Sequence, residues 1–149
     1  MDIYNYLKED HQKVSDLMDK VLAARSATRR EELFEEIKKE LTLHSETEQA
    51  TFYAALEGQE PTEERIEDAE EEHDEITQYL EKLSTMKADS PKWMECFGEF
   101  KHAVSHHVKE EEEEERIFEK AKKVLSKQDA QNLAREMDAL KKEAMQAAA

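Results

Sequence analysis

The chain has 149 residues, 40% of them charged, and its 38 Asp and Glu against 22 Lys and Arg give a formal net charge of −16 at pH 7. That length suits one domain with a real core, while the acidic excess disfavours nucleic acid and anionic membrane surfaces, which require a basic face. A single cysteine, Cys96, excludes an internal disulfide and any cysteine-rich metal knuckle, and the two glycines and two prolines argue for an all-α fold.

The opening Met-Asp-Ile-Tyr-Asn-Tyr has neither the basic start nor the apolar core of a secretory signal, and no apolar run approaches membrane-spanning length. A cytoplasmic protein is expected. The first helix is predicted over about residues 2–24, where Ile3, Leu7, His11, Val14, Met18 and Val21 recur in steps of three and four. The second, about 28–57, carries Phe34, Ile37, Leu41, His44, Glu48, Phe52 and Leu56 and stops at Glu57-Gly58, where glycine takes the left-handed cap. Pro61-Thr62 with Glu63 and Glu64 opens the third, whose stripe is Ile66, Ala69, His73, Ile76, Leu80 and Leu83 and whose end falls near Ala88.

Asp89-Ser90-Pro91 places a capping hydroxyl before a first-turn proline and starts the fourth helix, with Phe97, Phe100, Val104, His107, Glu111 and Phe118 on its seam. Gly98 within it is read as a mark of close packing, and Cys96 as a small core or boundary residue. Ser126 with Asp129 opens a fifth helix with a narrow apolar set, Leu133, Met137, Leu140 and Ala144, expected to lie across the outside. Short connections favour an antiparallel up-down-up-down four-helix bundle, residues 1–125, with an additional C-terminal helix, residues 126–149, packed on or extending from it.

Each of the four long segments thus points one imidazole inward: His11, His44, His73 and His107. Glutamate follows two of them by four residues, as His44–Glu48 and His107–Glu111, and such residues are stacked neighbours on a helix. A lone histidine on an apolar face is usually a hydrogen-bonded core residue. Four in register with two buried carboxylates differ, because each unpaired buried polar group costs about 1–3 kcal/mol and an unpaired carboxylate more. A pair of metal ions removes that penalty. Two bridging glutamates and four histidines give each ion four protein donors, an oxo or hydroxo bridge brings each to five, and one position per ion stays open for a diatomic or peroxide ligand. Imidazole and carboxylate without thiolate suit iron, with zinc or manganese possible.

His106 also precedes a glutamate by four, Glu110, but Phe100, Val104 and Phe118 share a face with His107 and Glu111, which favours His107. His102 and His106 read as a solvated pair. Of the six consecutive glutamates, Glu110 to Glu115, only Glu111 falls on the seam and the others are expected to face water. Tyr53 and Tyr79 lie near the seams, as packing residues or at the site.

Together Asp10-His11, His44-Ser45-Glu46-Thr47-Glu48 leading into Phe52-Tyr53, Glu72-His73, and His106-His107-Val108-Lys109-Glu110-Glu111 resemble the HHE cation-binding domains of the hemerythrin-like family over roughly residues 3–120. The resemblance implies a four-helix bundle around a non-haem di-iron centre that binds or senses dioxygen, binds nitric oxide, processes peroxide or handles iron. The oxygen-carrying hemerythrins have a second histidine on the third helix, four residues after the first, and here that position is Thr77. Peroxide, nitric oxide or iron chemistry is therefore expected over oxygen carriage, with Glu70 as a candidate substitute ligand. The alternatives are an iron storage, oxidation or delivery protein, and a metal-dependent sensor or interaction module acting through the fifth helix.

Overall fold

The computed structural model describes residues 1–148, which are helical with no strand among them. Helix α1 spans Ile3–Ala23, α2 Ala27–Glu48, a π-helical turn Gln49–Tyr53, α3 Ala54–Leu56, α4 Glu63–Ser84, α5 Pro91–Glu112, α6 Ile117–Ala121 and α7 Lys127–Ala148. Local chemistry sets the starts. Asp2 accepts from the Asn5 N–H at 2.9 Å, Ser26 from Arg29 at 3.1 Å and Ser90 from Trp93 at 3.2 Å, each satisfying a first-turn donor. At α7 the exchange is reciprocal: the Asp129 N–H donates to Ser126 Oγ and the Ser126 N–H to Asp129 Oδ2. Gly58, at φ +75°, follows α3 in the left-handed conformation that ends the rod begun by α2.

The long helices form a closed antiparallel bundle in which α1 meets α2, α2 meets α4, α4 meets α5 and α5 returns to α1. Two apolar cores fill it. One gathers Val14, Phe34, Leu41, Ile76, Leu80, Trp93, Phe97, Phe100 and Val104 with their neighbours, around the stacked Trp93 and Phe97 rings, 5.2 Å apart. The other gathers Ile3, Leu7, Phe52, Leu56, Ile66, Ala69, Phe118 and Met137. Between Leu7 and Val14, Leu41 and Phe52, Ala69 and Ile76, and Val104 and Phe118, every helix contributes polar side chains to one buried layer.

Several boundaries differ from the sequence-based expectation. The second helix is interrupted after Glu48 by the π turn, and the fourth ends at Glu112, so Phe118 belongs to the separate α6. Helix α4 ends at Ser84, and Ala88 is buried in the connection that follows. Helix α7 rests on α1, α2 and the π turn through Ala130, Leu133, Ala134, Met137 and Lys141; Leu140 is half-buried and Ala144 exposed, so the contact face is rotated from the expected Leu133, Met137, Leu140 and Ala144 stripe. Ala149, the last residue of the expected C-terminal segment, lies outside the described residues.

Cys96 is buried. Gly98 is not a close-packing position: it is exposed, α5 runs through it, and a Cβ there would meet nothing within 4 Å. The penalty of glycine within a helix is then uncompensated. Gly98→Ala should stabilise the protein by about 0.5–1 kcal/mol and raise the melting temperature by about 2–4 °C in calorimetry.

Candidate metal centre

Six side chains meet in the polar layer: His11 from α1, His44 and Glu48 from α2, His73 from α4, and His107 and Glu111 from α5. Ligand atoms of His11, His44, Glu48 and Glu111 lie within 4.8 Å of one another, and so do those of Glu48, His73, His107 and Glu111. The two glutamates belong to both groups. His44 Nε2 is 3.4 Å and His73 Nε2 3.1 Å from Glu48 Oε1; His107 Nε2 is 2.7 Å and His11 Nε2 3.6 Å from Glu111 Oε1. Both glutamates have no solvent exposure.

Each ring's second nitrogen is held from a neighbouring helix. His44 Nδ1 lies 2.9 Å from Asp10, His107 Nδ1 2.9 Å from Glu72, His11 Nδ1 2.5 Å from Glu112, and His73 Nδ1 3.2 Å from the Gln49 amide. Every holder is the chain neighbour of a central residue: Asp10 of His11, Gln49 of Glu48, Glu72 of His73, Glu112 of Glu111. At His11, His44 and His107 a carboxylate accepts the Nδ1 proton, so the lone pair of Nε2 faces the centre, whereas at His73 the Gln49 amide nitrogen donates to Nδ1; such outer partners fix both tautomer and ring orientation.

The inward atoms are poorly satisfied. Nε2 of His11 and His44 and all four carboxylate oxygens of Glu48 and Glu111 are buried without a hydrogen bond of adequate geometry, and the Nε2 atoms of His73 and His107 face each other at 2.9 Å. Nitrogen lone pairs and anionic oxygens converging on shared points suit cations. The donor set fits metal cations.

The electrostatics agree. Burial opposes a charge on His11, but Glu111 and Glu112 outweigh it and push the pKa up to about 9. Burial opposes a charge on His107 too, and Glu111 and Glu72 raise it to about 10. His44 is raised against the cost of burial by Glu48 and Asp10. Glu48 is held well below the usual carboxylate range, since the imidazoles of His44 and His73 overcome the opposing effect of burial. In the metal-free protein protons stand in for cations.

The structure settles several open assignments. His106 and His102 are exposed, and His106 pairs with Glu72 at 3.2 Å on the outside of the bundle, so His107 is the inward histidine. Glu70 cannot reach the centre: Ala69, four residues before His73, takes the inward position and leaves Glu70 in solvent. Thr77 is exposed for the same reason, with Ile76 on the seam. The acidic run supplies two groups to the layer, Glu111 and also Glu112, while Glu110 pairs with Arg116 at 2.9 Å.

Tyr79 packs near Phe100, away from the centre. Tyr53 is at the site, its ring stacked on His73 at 5.3 Å and 26° and its buried hydroxyl without a hydrogen-bond partner. Burial, then the charges of Glu111 and Glu48, raise the pKa of that hydroxyl well above its ordinary value. The π turn explains its position: Thr51, Phe52 and Tyr53 are all buried, and the extra residue per turn brings Tyr53 inward beside Phe52.

The sequence matches the hemerythrin HHE cation binding domain over residues 2–121. The chain belongs to this family. A hemerythrin HHE cation binding domain-containing protein from Mycobacterium kansasii has a similar solved structure, with a TM-score of 0.83 and 25% identity over 96% of this chain and 86% of that one. A curated protein of Nostoc sp., described as a DNA nickase, is 26% identical over 98% of this chain, which spans 41% of that protein's length. As an HHE domain this bundle is a cation-binding domain, and the His/Glu layer is its candidate centre.

The raised histidine pKa values have a sign that can be measured. Groups whose folded pKa exceeds the unfolded value of about 6.5 contribute stability that is complete below about pH 6.5 and lost as pH rises through the folded pKa, here about 9 to 10. Glu48, depressed, acts oppositely: its contribution is present above about 4.5 and lost on acidification. The metal-free protein should therefore be most stable between about pH 4.5 and 6.5, with a melting temperature that falls from pH 7 to 10. A temperature that rises over that interval would contradict the assigned shifts.

Proposed function

We propose that the layer binds two iron ions, one held by His11 and His44 and the other by His73 and His107, with Glu48 and Glu111 shared between them, and that the protein binds or transforms a small ligand there: dioxygen, peroxide or nitric oxide. The observation that carries this reading is the membership of both buried carboxylates in both donor groups. Iron bound there supplies redox and Lewis-acid chemistry. The chain's own residues do the rest. Asp10, Glu72, Glu112 and Gln49 hold the rings, the flanking apolar cores exclude water, and Tyr53, its ring against His73, offers a buried hydroxyl as an oxygen donor or a hydrogen-bonding group.

Size supports a small ligand. Beside the layer is a cavity of about 10 Å³ whose walls include His11, His44, His73, Val104, His107 and Val108. That space fits one water-sized group. A cleft of about 460 Å³ between α1 and α5 reaches the other side of His11, Val104 and Val108, and its rim carries Lys8, Lys101 and Lys109. This is the proposed access route. The protein's net charge disfavours a phosphodiester backbone as the ligand, so the activity naming the longer Nostoc protein is not carried over.

Protein purified after iron supplementation should hold about two irons per chain with near-ultraviolet charge-transfer absorption, both lost in a His44→Ala, His107→Ala double variant that keeps its helical circular dichroism. Folded parent protein without metal, or with zinc alone, would return the histidines to a structural or zinc-site role. If the α1–α5 cleft is the route, Val108→Phe should slow azide association at least about tenfold in stopped-flow absorbance while iron content stays constant, about 1.4 kcal/mol on the barrier.

A further inference from the structure

Lysine is seldom buried. Lys141 is 8% exposed, at a contact position of α7 one turn beyond Met137. Its ammonium lies 4.7 Å from the centroid of the Tyr6 ring and pairs with Asp10. The oxygen it contacts, Oδ2, is the one facing His44 Nδ1 at 2.9 Å. A second polar contact joins the same helices: the Tyr6 hydroxyl donates to Asp138 Oδ1 at 3.1 Å. Among the four groups that hold the imidazoles, Asp10 alone is paired with a buried lysine.

This places one carboxylate between two helices and two duties. On one side Asp10 sets the rotation of the His44 ring, and hence the direction of Nε2 toward Glu48, 3.4 Å away. On the other it receives the only buried cation of α7 among the described residues. The ammonium restrains a half-buried carboxylate that would otherwise turn toward water, and the apolar stem of the lysine fills the contact between α7 and α1. Energetic reciprocity follows: whatever α7 adds to metal binding through Asp10, metal binding returns to the docking of α7.

We propose that Lys141 is a positioning residue for the metal centre, orienting Asp10 and through it His44, so that docking of α7 and cation binding at His11 and His44 reinforce each other. The proposal rests on the two-ion reading above. It assigns the C-terminal helix a role in orienting a ring of the centre beyond that of a cover.

The test is a titration of the metal-free full chain with Zn²⁺ against a competing chelator, paired with limited proteolysis of residues 127–148. In Lys141→Met, which keeps an unbranched stem and removes the charge, affinity for one of the two ions should fall about tenfold, within the range for lost outer-sphere partners. Cleavage within α7, slowed by Zn²⁺ in the parent, should lose that dependence. Asp10→Asn should cost a similar factor, and adding Lys141→Met to it should cost little more, a non-additivity that a purely structural lysine would not produce. Lys141→Arg should recover most of the affinity; Lys141→Gln repeats the charge removal should the methionine variant lose helical circular dichroism. Two ions bound by Lys141→Met as tightly as by the parent, or losses that simply add in the double variant, would overturn the role of Lys141 alone. A parent that takes up no metal would overturn the two-ion reading and this inference together.

Discussion

Two carboxylates, Glu48 and Glu111, sit at the centre of the bundle with no exposure to solvent, and most of the structure answers to their charge. An ionised carboxylate without water needs compensating positive charge or several donors. Four imidazoles converge on the pair, one from each of α1, α2, α4 and α5, and their own requirements spread outward to Asp10, Gln49, Glu72 and Glu112. The apolar cores on either side keep water out and make the compensation necessary. Breaking either core would relax the same constraint that makes this layer suited to cations.

The outer hydrogen bonds have a geometric logic. Successive residues of an α-helix are rotated by about 100°, so when one side chain points at the bundle axis its chain neighbour points toward an adjoining helix. Asp10 and Glu72, each one residue before an inward histidine, reach from α1 to α2 and from α4 to α5. Gln49 and Glu112, each one residue after an inward glutamate, reach from the π turn that follows α2 to α4 and from α5 to α1. Reversing a helix reverses the sense of its rotation. In an antiparallel bundle the preceding residue on one helix and the following residue on the next therefore turn the same way around the axis, which closes the bonds into a ring running α1, α2, α4, α5. Three links are carboxylates and the fourth is the neutral Gln49, so the two halves of the centre are not equivalent.

The π turn is the local departure from regularity that gives the site its tyrosine. A continuous α-helix from Glu48 would place Phe52 on the seam and turn Tyr53 toward the flank; the wider turn buries both and stacks Tyr53 on His73. Helix α7 adds the other asymmetry, since through Lys141 it acts on Asp10 and leaves Glu72 and Glu112 untouched. The side of the layer holding His73 and His107 is thus marked by an aromatic hydroxyl and an amide, and the side holding His11 and His44 by a buried cation.

The all-helical bundle and the four inward histidines were legible in the sequence because periodicity is a one-dimensional record of which face a helix buries, and a charged or polar residue breaking an apolar stripe is visible without coordinates. The spacing of Glu48 from His44 and Glu111 from His107 was legible for the same reason. Periodicity cannot say what lies across a gap between helices. That Glu112 reaches His11, that Asp10 serves His44 and not its own neighbour, that Lys141 is buried on Asp10, and that Glu70 faces solvent all depend on helix rotation and on which helices adjoin, and packing alone decides those. The π turn was hidden because one extra residue shifts phase only downstream of Glu48, where too little helix remains for the change of period to register.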